Sequence, residues 1–172
     1  GGFRLEDREG LIREVRALRT RASPEALFRS FASLGGERGW LVWNWAWALR
    51  GFLDRLLGGP GLRRGRRHPT ELLPGEAVDF WRVEAVEPPR LLRLRAEMRL
   101  PGRAWLEWEA REAEGGSLLV QTAYFEPKGL TGFLYWWALY PIHRRIFSDL
   151  ARAIVREAEA QAEAPPRGGG AG

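Results

Sequence analysis

The chain of 172 residues carries a formal net charge of +5 and contains no cysteine. A chain of this length suits one domain with a sizeable core, and the missing cysteines exclude disulfides and thiolate chemistry. Since Lys128 is the only lysine, the positive charge is almost wholly arginine and is weak evidence for a nucleic-acid partner. The scarcity of asparagine, glutamine and methionine indicates a thermophilic source.

The ends of the chain predict little structure. Residues 1–10 lack the basic and apolar regions of a signal peptide, and no apolar run reaches the ~20 residues that span a bilayer. We therefore expect a cytoplasmic protein with a flexible segment at 1–10, one domain over 11–162 and a disordered tail at 163–172.

The first elements are a strand and a short helix. Residues 11–20 mix β-branched and charged side chains, which predicts a strand. Ser23 then offers an N-cap, with Pro24 in the first turn of the predicted helix. Gly35 and Gly36 are expected to end this helix.

A tryptophan-rich segment, "GWLVWNWAWALRGFLDRLLGG" at 39–59, predicts a second helix. One arc of its helical wheel is apolar and is predicted to face the core; it holds Leu41, Val42, Trp45, Ala46, Leu49, Phe52, Leu53, Leu56 and Leu57. The opposite arc holds Trp40, Trp43 and Trp47, beside Arg50 and Asp54. These three tryptophans are predicted to pack beneath the Arg-rich loop at 62–67, to form a lid, or to contact another domain. Insertion into a membrane interface is the least favoured account.

The middle of the chain alternates apolar and polar residues over four segments, at 77–87, 90–100, 103–111 and 117–127. This period of two predicts an antiparallel meander with one charged and one apolar face. Charge pairing favours a register with Arg95 opposite Glu107 and Glu84 opposite Arg93, and a turn that pairs Glu112 with Ser117. The residues predicted to face inward are Asp79, Trp81, Val83, Ala85, Leu92, Leu94, Ala96, Met98, Ala104, Leu106, Trp108, Ala110, Leu119, Gln121, Ala123 and Phe125.

A long helix is predicted from Leu130 to about Ala162, with its apolar half lying on the inner face of the sheet. That half holds Phe133, Trp136, Trp137, Leu139, Tyr140, His143, Ile146, Phe147, Leu150, Ile154 and Val155. Pro141 predicts a kink or a break near Tyr140, because proline removes a helical hydrogen bond.

This order of elements resembles the START-like, or polyketide cyclase-like (SRPBCC), helix-grip fold over residues 11–159. The resemblance implies an α+β architecture: a curved antiparallel sheet wrapped around a long C-terminal helix, with short helices after the first strand and an apolar cavity. The stretches "GGERGW", "LRGFLDRLLGGPGLRRGRR", "DFWRVE", "LPGRAWLEWE" and "YPIHRRIF" resemble a domain family of unknown function. Members of that family usually follow an NAD(P)-binding, short-chain-dehydrogenase-like domain.

The resemblance brings no catalytic residues and no cofactor for this chain. No strand here runs into the G-x-G-x-x-G sequence that holds a pyrophosphate, so NAD(P) is expected only in a separate N-terminal domain. Two histidines without clustered spacing do not predict a metal site. The sequence has no serine nucleophile motif that would support hydrolysis. The stretch "LRRGRR" has no aromatic residues beside it, so it is weak support for nucleic-acid binding.

A ligand-binding cavity is predicted because small inward residues leave space between sheet and helix. The polar side chains facing that space need partners, and aromatic rings form its walls. The predicted ligand-binding residues are Asp79, Trp81, Met98, Trp108, Gln121, Trp136, Tyr140 and His143. Asp79 and His143 are also predicted to be structural groups that satisfy each other or the backbone, an interpretation favoured over catalysis.

The function predicted from the sequence is non-catalytic binding of a small, mostly apolar ligand. Two enzymatic alternatives stay open. One is a cyclase or isomerase that uses His143 with Asp79 as acid and base. The other is the substrate-binding half of an NAD(P)-dependent oxidoreductase whose nucleotide-binding domain is covalently linked. A membrane partner is the least favoured.

Overall fold

The computed structural model describes residues 2–8, 11–34, 40, 44–58, 72–78, 81–97 and 102–163. These residues form seven strands and three helices, in the predicted α+β arrangement. The elements are β1 (Gly2–Arg8), β2 (Leu11–Thr20), α1 (Pro24–Ala32), α2 (Asn44–Leu56), β3 (Ala77–Val78), β4 (Trp81–Glu87), β5 (Leu91–Ala96), β6 (Gly102–Ala113), β7 (Gly116–Pro127) and α3 (Gly129–Glu163). None of the described helices combines the length and apolar composition needed to cross a bilayer.

The strands form one sheet in the order β1-β2-β7-β6-β5-β4-β3, and every neighbouring pair is antiparallel. Helix α3 lies on the inner face, and α1 packs between α3 and the sheet. Phe31 of α1 stacks on Trp108 with ring centroids 6.2 Å apart, and the Ser30 hydroxyl donates to the Ile154 carbonyl at 3.0 Å. The core is therefore continuous from the sheet through α1 to the C-terminal half of α3.

The predicted start of α1 is confirmed. The Ser23 hydroxyl accepts from the Ala26 backbone N–H at 3.1 Å, and Pro24 is the first helical residue. The helix ends at Ala32 with Ser33 as C-cap. Gly35 and Gly36, which were expected to end it, lie outside the described residues.

The N-terminal segment contains a strand that the sequence analysis did not predict. Residues 1–10 were assigned to a flexible segment, but Gly2–Arg8 forms β1 and pairs with β2 along its whole length. Because β2 pairs with β7 on its other side, it has a free edge that a preceding segment can join by backbone hydrogen bonds. Such pairing needs little side-chain periodicity, so the pattern alone did not reveal it.

The faces of β5, β6 and β7 were predicted correctly, but one register was wrong by two residues. The turn that pairs Glu112 with Ser117 is confirmed. Glu107, however, lies opposite Arg93 and not Arg95, and its carboxylate accepts from Arg93 at 2.7 Å. The chain reverses between Ala96 and Gly102, which is a longer connection than predicted. A shift of two keeps every side chain on its predicted face, so burial does not distinguish the two registers.

A register shift in β4 corrects a second prediction. The pairing of β4 with β5 shifts between Val83 and Ala85, so Ala85 and not Glu84 lies opposite Arg93. Val86 consequently pairs with Leu92 and packs against the core, where Ala85 was expected. Glu84 still forms an ion pair with Arg93 at 3.6 Å.

Helix α3 continues through Pro141 from Gly129 to Glu163, so the helix does not break near Tyr140. The prediction of a break was therefore wrong. Trp136, Phe147 and Leu150 are buried as predicted. Phe133 and Trp137 are exposed, however, because they lie at the edge of the apolar half and the contact with the sheet is narrower than that half.

Helix α2 has the opposite orientation from the predicted one. Trp47, Gly51 and Asp54 are its buried residues, whereas Trp45 is 67% exposed. Trp40 is also buried, and its ring packs against that of Trp47 at 5.4 Å. Tryptophans occur on both sides of this helix. The side with fewer apolar residues is the buried one, because Trp47 on that side packs into the aromatic cluster beneath the helix. Trp43 lies outside the described residues.

Candidate functional site

Between α2, α3 and the inner face of the sheet lies a mostly apolar pocket of about 190 Å³. The predicted space above small inward residues is confirmed at Ala104 and Ala123, which form its floor. Its remaining side-chain walls come from the two helices, β4 and β7: Ala46, Trp47, Arg50, Trp81, Phe125, Tyr135, Trp136, Leu139, Ile142, His143, Ile146 and Phe147.

A group of tryptophans fixes one end of the pocket. The rings of Trp47 and Trp81 meet edge to face at 6.5 Å, and both line the pocket. Trp40 lies behind them, 6.3 Å from Trp81 and 6.5 Å from Trp108. Offset and edge-to-face aromatic contacts of this kind are worth about 0.5–1.5 kcal/mol each beyond the area they bury. This end of the pocket is therefore part of the core.

His143 is the titratable group placed deepest in the wall. Its ring stacks on Phe147 at 5.7 Å and lies 6.0 Å from the Trp136 ring. Burial, with a smaller contribution from the positive charge of Arg50, lowers the pKa of His143 from 6.5 to about 4. The imidazole is consequently neutral at pH 7, with one nitrogen that donates and one that accepts.

His143 Nδ1 and Trp136 Nε1 are polar atoms of this wall that are buried without a hydrogen-bond partner among the described residues. Trp136 is held by Phe125, whose ring is parallel within 13° at 5.3 Å, so the indole is fixed in place. A buried polar group without a partner costs about 1–3 kcal/mol. A polar ligand atom that reached either nitrogen would therefore gain free energy.

Arg50 and Tyr135 form a polar edge on the same pocket. The Arg50 guanidinium carbon lies 5.6 Å from the centre of the Tyr135 ring, a cation–π contact between α2 and α3. Burial raises the pKa of the Tyr135 hydroxyl, which is therefore protonated at neutral pH. Among the described lining residues, Arg50 is the one whose side chain is charged at that pH.

The structure brings together three of the eight residues predicted to bind ligand: Trp81, Trp136 and His143. Tyr140 packs on Trp136 at 6.0 Å and supports the pocket from outside its lining. Asp79 and Met98 lie outside the described residues, so the predicted contact between Asp79 and His143 stays a prediction.

Trp108 and Gln121 were predicted in the site but lie in the core away from it. Trp108 Nε1 donates to Gln121 Oε1 at 2.9 Å, and Gln121 Nε2 donates to the Phe147 carbonyl at 2.9 Å. These bonds use both ends of the Gln121 amide, so the buried residue connects β6, β7 and α3. In this structure Trp108 and Gln121 satisfy each other's buried polar groups by hydrogen bonding.

Two of the three tryptophans predicted as a lid or an interdomain contact, Trp40 and Trp47, are among the described residues. Trp40 is buried in the core, and Trp47 forms part of the pocket wall. The predicted packing beneath the loop at 62–67 cannot be compared, because that loop lies outside the described residues. Arg50 and Tyr135 were missed, since their meeting depends on how α2 lies across α3, and no pattern within either segment shows that.

No group of three or more histidine, aspartate or glutamate side chains in the described ranges could hold a metal ion. The side chains of the pocket wall include the imidazole of His143, the guanidinium of Arg50, the phenol of Tyr135 and several indole N–H groups. Such a set is suited to hydrogen bonding with a small polar group on an otherwise apolar molecule.

A family model described as Protein of unknown function (DUF2867) matches residues 8–150. The chain belongs to this family. No curated protein matches the sequence of the DUF2867 chain.

Solved structures with the same fold cover most of the DUF2867 chain. The Zhui aromatase/cyclase from Streptomyces sp. R1128 is 15% identical with a TM-score of 0.56, over 90% of this chain and 97% of that one. Ara h 8.0201 is 11% identical with a TM-score of 0.53, over 88% and 99%. The di-domain aromatase/cyclase StfQ from the steffimycin pathway is 13% identical with a TM-score of 0.53, over 90% of this chain and 52% of its own. At these identities the similarity shows the fold, which is the predicted helix-grip fold.

Proposed function

We propose that this DUF2867 domain binds a small, mostly apolar ligand that carries a hydroxyl group, and does not transform it. The observation that supports this most directly is the pair of buried polar atoms, Trp136 Nε1 and His143 Nδ1, in a mostly apolar wall. An indole nitrogen only donates, and His143 Nδ1 accepts in the tautomer that carries its hydrogen on Nε2, which is the tautomer this proposal requires. One hydroxyl both accepts from the first and donates to the second.

The size of the pocket limits the ligand. An apolar cavity of ~150 Å³ accepts benzene, and sites for drug-sized ligands begin near ~300 Å³. The pocket of about 190 Å³ lies between these two values. We therefore propose a substituted single ring, or an apolar molecule of similar volume, as the part of the ligand that enters.

The cyclase-like alternative has support from the fold neighbours, two of which are aromatase/cyclases. It would use His143 as a general base. A base works best when its pKa lies near the working pH, and the pKa of His143 is lowered to about 4. The low pKa favours His143 as a hydrogen-bond acceptor, and hence the binding function.

The oxidoreductase alternative requires a linked NAD(P)-binding domain and stays a prediction. The DUF2867 chain by itself is expected to leave NADPH fluorescence unchanged on mixing. A saturable change in that fluorescence would contradict the assignment of NAD(P) to a separate domain.

A matched pair of probes tests the proposed function. Calorimetry should show that 4-ethylphenol binds about tenfold more tightly than ethylbenzene, because a hydrogen bond adds about 0.5–1.5 kcal/mol. The two probes differ only in the hydroxyl. In His143→Phe, which keeps an aromatic ring against Phe147, the difference should shrink to about twofold while ethylbenzene binds as before.

Two results would contradict the proposal. Equal affinity for the two probes in the unmodified chain would show that no polar atom of the wall forms a hydrogen bond with the hydroxyl. No binding of either probe, with the chain folded by circular dichroism, would show that the pocket is not a site for ligands of this size.

A further inference from the structure

Two side chains of the sheet donate hydrogen bonds to the backbone of α3. Arg16 Nη2, on β2, donates to the Arg144 carbonyl at 3.1 Å. Gln121 Nε2, on β7, donates to the Phe147 carbonyl at 2.9 Å. Arg16 and Gln121 lie opposite each other in the antiparallel pair of β2 with β7, and we call them the α3 clamp. Both of the carbonyls that the clamp holds belong to the helical turn that follows His143.

The α3 clamp acts on the part of the helix that forms the pocket wall. His143 directly precedes Arg144, and its ring stacks on Phe147 at 5.7 Å. Pro141 lies two residues before His143 and cannot form the usual hydrogen bond to the carbonyl four residues earlier. Because a helix is less constrained where such a bond is missing, contacts from the sheet have more influence on the orientation of this turn.

A buried carboxylate orients Arg16. Glu14 forms an ion pair with Arg16, and the Glu14 side chain is 1% exposed. Glu14 Oε2 has no hydrogen-bond partner among the described residues. A buried ion pair adds little net stability, because taking both charges out of water costs free energy, and apolar residues of similar volume often serve as well or better. We therefore assign the orientation of Arg16, and not stability, as the contribution of this pair.

We propose that Glu14 and Arg16 position His143 for the hydroxyl of the ligand, an inference that rests on the proposed function. Glu14 lies opposite Ala123, which is part of the pocket floor, but neither Glu14 nor Arg16 is among the described lining residues. Both are therefore positioning residues and not ligand contacts. A polar group reads a ligand sharply only when supporting hydrogen bonds hold it in one orientation, and the α3 clamp supplies such bonds to the backbone beside His143.

A double variant tests this role without leaving a buried charge unpaired. Glu14→Leu, Arg16→Met replaces both partners with apolar side chains, so we expect an unchanged or higher melting temperature. The preference of about tenfold for 4-ethylphenol over ethylbenzene should fall to about twofold in calorimetry, while ethylbenzene binds as before. The control Arg93→Met, Glu107→Leu removes an ion pair of 2.7 Å on the outer face of the sheet and should keep the full preference.

A single variant provides a second test if the double variant melts at a lower temperature than the unmodified chain. Arg16→Lys keeps a positive charge beside Glu14 but loses the planar guanidinium that donates both to this carboxylate and to the Arg144 carbonyl. We expect it to lower the preference for 4-ethylphenol in the same direction as the double variant. A full preference in Arg16→Lys would overturn the positioning role.

The titration of His143, followed by NMR of its ring protons, gives a readout that needs no ligand. Burial, with a smaller contribution from Arg50, holds the pKa of His143 at about 4, and we expect it to move towards 6.5 in Glu14→Leu, Arg16→Met. Because this variant removes one positive and one negative charge together, the net charge near the imidazole does not change. The pKa of His143 should stay at about 4 in the control variant on the outer face.

The two readouts separate this inference from the proposed function. A full preference for 4-ethylphenol together with an unchanged His143 pKa in the double variant would overturn the positioning role and leave the proposed function intact. Equal affinity for the two probes in the unmodified chain would count against the proposed function alone. The His143 pKa would then decide the positioning role, which a rise in the double variant supports and an unchanged value overturns.

Discussion

Acidification should destabilise the domain through His143. Burial and the charge of Arg50 hold the pKa of this imidazole at about 4, against 6.5 in an exposed position. Below pH 6.5 the unfolded chain takes up a proton that the folded chain accepts only near pH 4. The stability is therefore highest above pH 6.5 and falls as the pH is lowered towards 4, in the direction required by a depressed histidine pKa.

The magnitude follows from the size of the shift. Each pKa unit corresponds to about 1.4 kcal/mol, so the displacement from 6.5 to about 4 gives a loss of roughly 3 kcal/mol in the free energy of unfolding. The perturbation that isolates this group is His143→Phe, which keeps a ring of similar shape between Trp136 and Phe147 and cannot titrate.

Urea denaturation at several pH values between 6.5 and 4 measures the effect. Carboxylates also titrate towards the lower end of this range, but they do so in both proteins, and the comparison subtracts their contribution. We expect the unmodified chain to lose about 3 kcal/mol more than His143→Phe over the interval. Parallel stability curves would refute the reasoning, because they would show that His143 titrates as an exposed residue.

Four further substitutions test the packing of the core and the pocket. Trp40→Ala should lower the free energy of unfolding by about 3–5 kcal/mol and Trp45→Ser by less than about 0.5 kcal/mol, measured by urea denaturation; equal losses would show that the orientation of α2 is wrong. Gln121→Leu should cost about 1–3 kcal/mol in the same assay because it leaves the buried Trp108 Nε1 without its acceptor; an unchanged stability would mean that this bond is not formed. Ala104→Leu should fill the pocket and abolish 4-ethylphenol binding in calorimetry while the circular dichroism spectrum is retained; undiminished binding would place the ligand elsewhere.

The faces of β5, β6 and β7 could be predicted because side chains alternate along a regular strand, and the charged residues of β5 and β6 mark the outer face. The shift in β4 breaks this alternation after Val83. The register of β5 and β6 could not be predicted, since it depends on where the chain reverses, and a slip of two residues leaves Arg93 and Glu107 outside in either case. The orientation of α2 was beyond prediction for a different reason. Both of its sides carry tryptophan, and the choice is made by Trp40 and Trp81, which meet Trp47 only in the folded chain.

The sequence predicted which face of the sheet carries the site, but not which residues along that face line the pocket. Trp108 and Trp81 were both correctly predicted to face inward. Phe31 of α1 covers Trp108, however, so this part of the inner face is filled, whereas Trp81 lies beside the open space under α2. The periodicity of a strand shows which side chains are buried, and the packing of the other elements decides which of them border a cavity.

The measurement that tests the proposed binding function most directly is the indole N–H resonance of Trp136 in a nitrogen-15 spectrum, assigned by its loss in Trp136→Phe. On titration with 4-ethylphenol we predict that this resonance moves downfield, as expected for a new hydrogen bond, and saturates at the affinity found by calorimetry. The resonance of the exposed Trp45 should stay in place, and ethylbenzene should cause no downfield shift at Trp136. An unchanged Trp136 resonance while 4-ethylphenol binds, or the same shift with ethylbenzene, would contradict the account.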